Sequence, residues 1–212
     1  MRVLILLALC ACATSSTGVR PAPTPTTAPD PVTPAEPARG ETPTQVLPGD
    51  SAGPVNAGTS HDDLLERLGE DALTERSIDL GEGVTATATV VYAGTERELQ
   101  VVWQDDSRQA PESVRIIGGA WQLPEQLHVG DRLDDLRDRL GEVSFLGFGW
   151  DGGGTVVLDG TALEKHADHL YMRLHATGPL ADALMGDQPI AADHPQAQAA
   201  GLVLQDVRIR FR

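Results

Sequence analysis

Two stretches of the chain place leucines at helical spacing within strongly charged sequence. Leu64, Leu65 and Leu68 share one face of a segment that Ser60 or Thr59 can cap, Asp63 completes the box, and Gly69 stops it. In the second stretch Asp131 caps, Leu133, Leu136 and Leu140 follow at i, i+3 and i+7, and Gly141 ends the run. The remaining positions are Asp, Glu and Arg, so both segments predict short helices with one buried stripe and a solvated face. Acidic pairs such as Asp134-Asp135 then serve capping and solubility. Further on the period changes from helical to two. Val84, Ala86, Ala88, Val90 and Tyr92 alternate with Thr85, Thr87 and Thr89, a turn follows at Ala93-Gly94-Thr95, and Leu99, Val101 and Trp103 line one face. This predicts an antiparallel hairpin.

The two helical segments are also copies of each other. Asp62 to Glu70 aligns with Asp134 to Glu142 at an offset of 72, identical at seven of nine positions, and the same offset matches Leu99 to Trp103 with Tyr171 to His175. A third echo, Val114-Arg115-Ile116 against Val207-Arg208-Ile209, sits at an offset of 93, so the second copy carries 21 extra residues. Within that extra stretch Pro179 opens one helix candidate closed by Gly186, and Pro195 opens another closed by Gly201. The predicted fold is α+β: two tandem units, residues 60–120 and 129–212, each a helix followed by three or four antiparallel strands, with the helices packed on one sheet face.

The N-terminal part has a different character. Met1-Arg2 supplies a minimal basic region, and Val3 to Leu9 is an apolar run of seven, too short to span a bilayer. Leu9-Cys10-Ala11-Cys12 resembles the lipobox of bacterial lipoprotein signals, with Leu9 three positions before the cysteine, Ala11 immediately before it and Cys12 as the acceptor; Cys10 is a less usual occupant of its position. The resemblance implies a signal peptide over 1–11, acylation of Cys12, and, because Ala13 is not aspartate, export to the outer membrane with the domain facing the periplasm. The alternative from the residues alone is an ordinary secretory signal cut after Ala11 or Ala13. Processed before Cys12, the chain retains one cysteine, so no intramolecular disulfide is expected and stability falls to the core. Residues 13–59 hold ten of the 15 prolines, nine threonines and no aromatic residue. Such a composition predicts a disordered Pro/Thr-rich tether over 12–59 and a folded domain over 60–212.

Charge narrows the partners. The chain carries 16 basic against 31 acidic residues, a formal charge of -15. That balance disfavours nucleic acid and anionic lipid headgroups, leaving a lipid anchor as the expected link to a membrane.

The candidate binding surface is the stretch Gly147-Phe148-Gly149-Trp150-Asp151-Gly152-Gly153-Gly154. It sets Phe148 and Trp150 among glycines, a costly composition that suits a bulge or a close backbone approach. Two readings stand: a bulged hairpin whose aromatics fill the core, or an exposed loop binding through Phe148, Trp150 and Asp151. Trp121, between Gly118-Gly119 and Pro124, is a further binding candidate, whereas Trp103 falls in register with core positions. Gly147-x-Gly149-x-x-Gly152 formally matches a dinucleotide fingerprint, but Thr155 to Leu158 reads as a strand where a helix should open. No cofactor is expected.

Catalytic constellations are thin. Ser60, Ser77, Ser107, Ser113 and Ser144 occur in no Gly-x-Ser-x-Gly elbow. Glu164, His166, Asp168, His169 and His175 form a cluster capable of holding a metal or a general base, but on a strand His166 and His169 point to opposite faces. Solvated loop histidines are the expected outcome. Asp151 and Asp159 flank Thr155 to Leu158 without the alternating acidic ligands of a calcium loop.

Val129 to Gly141, a glycine followed by a polar-capped helix and a closing Leu-Gly, resembles the opening of the outer-membrane assembly lipoproteins of the SmpA/OmlA family and the tandem units of the β-lactamase inhibitory protein family. The resemblance covers about 13 residues per unit, and implies a non-enzymatic binding module of helices on an antiparallel sheet. The Gly147–Gly154 stretch also resembles one found in uncharacterised bacterial lipoproteins. The resulting expectation is a lipid-anchored envelope protein that is not an enzyme and binds another protein or a cell-wall component such as peptidoglycan. The alternatives are a protein inhibitor of an envelope hydrolase, with an acidic surface suited to a basic enzyme, and a hydrolase using His166 and Asp168.

Overall fold

The structure, a computed structural model, describes residues 44–81 and 83–211. Residues 1–11, Cys12 and most of the proposed tether lie outside the described residues.

The first described residues correct the expected boundary at 59. Three two-residue strands, β1 (Val46–Leu47), β2 (Ser51–Ala52) and β3 (Val55–Asn56), form a small antiparallel sheet. Val46, Ala52 and Val55 belong to the main core, and the Val46 N–H donates to the Gln122 carbonyl at 2.8 Å. Low average hydrophobicity hid three apolar residues that tight turns, one at Gly53 with φ of 57°, bring onto one face.

Helix α1 (His61–Leu68) forms as its capping signal predicts: Ser60 is the N-cap, its hydroxyl accepting from the Asp63 N–H while the Asp63 carboxylate accepts from the Ser60 N–H. Then follow β4 (Leu73–Gly81), β5 (Val84–Val91), β6 (Leu99–Trp103), β7 (Pro111–Ile116) and α2 (Leu133–Leu140). Arg132, one residue later than expected, is the N-cap of α2; Asp131 instead accepts from the His128 N–H and pairs with Arg139. The chain continues through β8 (Ser144–Leu146), β9 (Val156–Val157), β10 (Leu170–Ala176), β11 (Pro189–Ala191), α3 (Pro195–Ala199) and β12 (Leu202–Arg210). Pro195 does open a helix, whereas the stretch after Pro179 makes only one 3-10 turn, Asp182–Leu184.

The protein is α+β with antiparallel sheets. A six-stranded sheet has the order β10-β12-β7-β6-β5-β4, and β11-β8-β9 form a separate three-stranded one. The inner face of the large sheet, with Leu99, Val101, Val114, Ile116, Met172, Leu174, Val207 and Ile209, shares one core with Leu64 of α1 and Leu133, Leu136 and Leu140 of α2. Burying each such side chain contributes about 1.5–3 kcal/mol. On β12 a bulge keeps this face apolar: Arg173 pairs with Asp206 but Leu174 pairs with Leu204, so the extra Gln205 lets Leu202, Leu204, Val207 and Ile209 all be buried.

On β5 the alternation points the other way from what its composition suggests. Threonine Thr89 faces the main core, fully buried, and its hydroxyl accepts from the Trp103 indole at 2.9 Å. Ala88, with Ile78 and Val102, makes a small second cluster on the outer face. Trp103 is structural, as its register predicts.

Candidate binding cleft

The outer face of the large sheet is built by β7, β12 and β10, whose alternate residues are polar. Register sets Arg115 opposite Arg208, Tyr171 opposite Arg208, and Arg173 opposite Asp206. These side chains, with Arg210, floor a cleft of about 630 Å³. One wall is the end of the β4-β5 hairpin, with Asp79, Leu80, Gly81 and Val84; the other is Trp150, Asp151 and Gly152. In a flat sheet β4 would lie about 14 Å from β7, at roughly 4.8 Å per strand. Here Arg115 Nη1 donates to the Asp79 carbonyl at 3.1 Å, so the hairpin end bends over the outer face.

The glycine-rich loop is braced onto the floor by its backbone, the Leu174 N–H donating to the Gly154 carbonyl at 2.8 Å, and by two side chains of the floor. Arg173 Nε donates to the Gly153 carbonyl at 2.6 Å, and the Thr155 hydroxyl lies 3.0 Å from the Tyr171 hydroxyl. Trp150 is pinned in turn, its indole N–H donating to the carbonyls of Gly147 at 2.9 Å and Gly186 at 3.1 Å. Its ring lies across Gly152, where a Cβ would meet the indole at 2.3 Å, and Gly154 holds a φ of +82° with its backbone against Leu174. These contacts account for two of the glycines that sequence singles out.

The four predicted binding residues therefore separate. Trp150 is 42% exposed and Asp151 is exposed, and both line the cleft. Phe148 and Trp121 are instead buried. Phe148 is 8% exposed and packs its ring 5.8 Å from that of Phe145, while its N–H donates to the Leu184 carbonyl. Trp121 is fully buried, with the Arg97 guanidinium 5.4 Å above its ring. Large rings in these positions gain from core burial, Trp121 entirely and Phe148 over most of its surface, the remainder of Phe148 lining the hollow it shares with Trp150 and Met185.

Electrostatics is where sequence reasoning fell short. A chain of formal charge -15 gathers four of its 16 basic residues around one cleft, with three aspartates. Arg115 is paired with Asp206 at 3.3 Å, both side chains 18% exposed. Among the described residues no carboxylate lies within ion-pairing distance of Arg173, Arg208 or Arg210. Arg208 sits 5.7 Å from the centre of the Tyr171 ring, and its buried Nε has no hydrogen-bond partner among the described residues. Desolvation holds its pKa below the ordinary arginine value; Asp206 and Tyr171 oppose that shift and the charges of Arg115 and Arg210 add to it. The sequence signal for this patch was Arg208 and Arg210 alternating with Val207 and Ile209, a period of two that places both arginines on one side.

The histidine cluster does not converge. Glu164–His166 is a 3-10 turn, no hydrogen bond joins His166 to Asp168 among the described residues, and no group of three or more metal-ligating side chains assembles there. His169 Nδ1 lies 3.2 Å from the Arg210 carbonyl. Burial, then the Lys165 charge, keeps the His166 pKa below the usual imidazole value, with Glu125 opposing and His169 adding.

The chain matches no family model and no curated protein. Among solved structures it is similar to the uncharacterised protein yfeY from Escherichia coli, at 13% identity over 76% of this chain and 97% of that one, with a TM-score of 0.44. No helix among the described residues is long and apolar enough to cross a membrane.

Proposed function

We propose that the protein is a lipid-anchored envelope protein of the bacterial outer membrane whose folded part is a periplasmic binding module, with the cleft between the β4-β5 hairpin and Trp150 as its recognition site. The single observation that carries the reading is the exposed, pinned Trp150 beside an arginine-floored cleft. Fixed aromatic side chains with one exposed face are the usual anchors of recognition surfaces. The Leu9-Cys10-Ala11-Cys12 motif supports the anchor, and the proline-rich segment that precedes residue 44 supports a tether.

Duplication of an ancestral helix-strand unit explains the layout of the large sheet. β6 and β7 of the first unit, and β10 and β12 of the second, occupy mirrored places in the order β10-β12-β7-β6. The echoed triplets meet at its centre, where Val114, Arg115 and Ile116 pair with Ile209, Arg208 and Val207. On this reading β8 and β9 are the shortened counterparts of β4 and β5. The second unit is thereby opened on one side, and the cleft forms where the symmetry breaks.

In vivo crosslinking tests the proposal on the full-length protein, with an affinity tag inserted between Thr27 and Ala28. A photoreactive residue replacing Val84, at the cleft rim, is expected to trap a discrete adduct that Trp150→Ala abolishes, while the same residue at exposed Leu47 traps none. Equal adducts at both positions, or adducts indifferent to Trp150, would reject the cleft as the recognition site. Cys12→Ala is expected to abolish incorporation of labelled palmitate and membrane sedimentation. Retention of both would remove the anchor from the proposal.

A further inference from the structure

We infer that the cleft receives an acidic peptide segment of a protein partner, bound extended along β12 with carboxylates at alternate positions. This rests on the cleft being the recognition site, and adds the chemistry of what it recognises.

Three features select that ligand. The first is excess positive charge: four arginines against three aspartates line the cleft, and Arg173, Arg208 and Arg210 have no carboxylate within ion-pairing distance among the described residues, although acidic residues outnumber basic ones 31 to 16 in the chain. Guanidinium groups recognise carboxylates through paired N–H donors. Arg208 in particular is desolvated and stands beside the like charges of Arg115 and Arg210, so a carboxylate meeting its guanidinium from the cleft offsets both costs.

Spacing is the second feature. Arg208 and Arg210 stand two residues apart on β12, which is about 6.6–6.8 Å along a strand. Arg173 lies on the adjacent strand, opposite Asp206 and so diagonal to Arg208. The charges are strung out and not focused on one point. A single phosphate or carboxylate can meet only part of such a row, whereas side chains at i and i+2 of an extended peptide repeat at the same interval.

The third is the apolar rim. Val84 is 55% exposed on one wall and Trp150 42% exposed on the other, with Met185, 48% exposed, next to Trp150 in the adjoining hollow. An extended chain that alternates acidic with apolar side chains would set carboxylates on the arginine floor and hydrocarbon against these lips. The overall charge of -15 repels such a segment at long range, but screening over about 8 Å at physiological salt confines the contest to the cleft.

Fluorescence anisotropy on the full-length protein tests this at about 150 mM salt. The probe is a labelled peptide of about eight residues alternating Glu and Val; the comparison peptide has the same composition with its glutamates in one block. The alternating peptide is expected to bind saturably, the block peptide several-fold more weakly, and Arg210→Gln to weaken the alternating peptide about tenfold, the loss of one charge-assisted contact. Arg210 is exposed, so this variant keeps the fold; Arg208→Gln, checked by circular dichroism, is expected to lose more. Inorganic phosphate and vesicles containing phosphatidylglycerol are expected neither to compete nor to bind. No saturable binding of the alternating peptide, equal binding by Arg210→Gln, or displacement by phosphate or vesicles through the same arginines would overturn the inference. A Trp150-dependent crosslink at Val84 without peptide binding would reject the ligand class and leave the binding module standing.

Discussion

Arg115 on β7 stands directly opposite Arg208 on β12, two like charges face to face at the centre of the six-stranded sheet. Cross-strand pairs of this kind are destabilising when nothing offsets them. Here the offset is divided: Asp206 takes Arg115 in an ion pair at 3.3 Å, and the Tyr171 ring lies beside Arg208. The cleft therefore keeps one arginine neutralised by the fold and one held ready without a carboxylate. That asymmetry makes the surface attractive to anions.

Removing the neutralising group exposes the repulsion. Asp206→Asn is expected to destabilise the fold by about 1–2 kcal/mol, between the value of an exposed pair and that of a buried one, and by less at high salt. Urea unfolding at two ionic strengths measures it. An unchanged midpoint at low salt would mean that Arg115 is held by the Asp79 carbonyl alone.

The start of the fold is testable by truncation. A chain beginning at residue 44 is expected to unfold at the same denaturant midpoint as the full-length protein. One beginning at residue 60 loses Val46, Ala52 and Val55 from the core. At about 1.5–3 kcal/mol for each buried valine, this removes a large part of a typical stability of about 5–15 kcal/mol. Equal midpoints for the two truncations would return residues 44–59 to the tether.

Two glycines with similar backbone angles separate steric from conformational cost. Gly154 has φ of +82° and a Cβ there would sit 2.3 Å from the Leu174 carbonyl oxygen; Gly160 has φ of +76° with nothing within 4 Å. Gly160→Ala is expected to cost about 1–2 kcal/mol from the left-handed backbone alone, and Gly154→Ala at least about 1 kcal/mol more. Thermal denaturation of both variants decides; equal losses would show that the loop yields to the added methyl.

Acid sensitivity has a named contributor in Glu98, whose side chain is 8% exposed on the outer face. Burial pushes its pKa up, but the Gly94 N–H, the Gln100 amide and the Arg76 guanidinium outweigh this and leave it below its ordinary value of 4.5. A lowered carboxylate pKa gives stability that is present above the unfolded value and lost as pH falls through the folded one. Glu98→Gln is therefore expected to destabilise the protein near neutrality and to flatten its stability profile below about pH 4.5. Parallel profiles for the two proteins over that range would assign the acid response to other carboxylates.

What the sequence determined by itself were the features that rest on short-range chemistry. Ser60 and Asp63 cap α1 because both partners lie within four residues, Leu133, Leu136 and Leu140 recur on one face of α2, and the β5-β6 hairpin follows from a period of two around Gly94. The Val-Arg-Ile echo was visible as a repeated string. Its meaning was not, because only antiparallel pairing of strands 93 residues apart sets the two triplets against each other and brings Arg115 to Arg208. The same holds for the fate of the aromatics. Nothing local distinguishes Phe148 from Trp150 in the glycine-rich stretch, yet backbone bonds with Leu184 and Gly186 turn the first inward against Phe145, while the carbonyls of Gly147 and Gly186 hold the second at the rim. Burial and charge clustering are sums over residues distant in the chain. Tertiary structure alone decided that Trp121 is core, that residues 44–59 are folded, and that an acidic protein carries a cationic cleft.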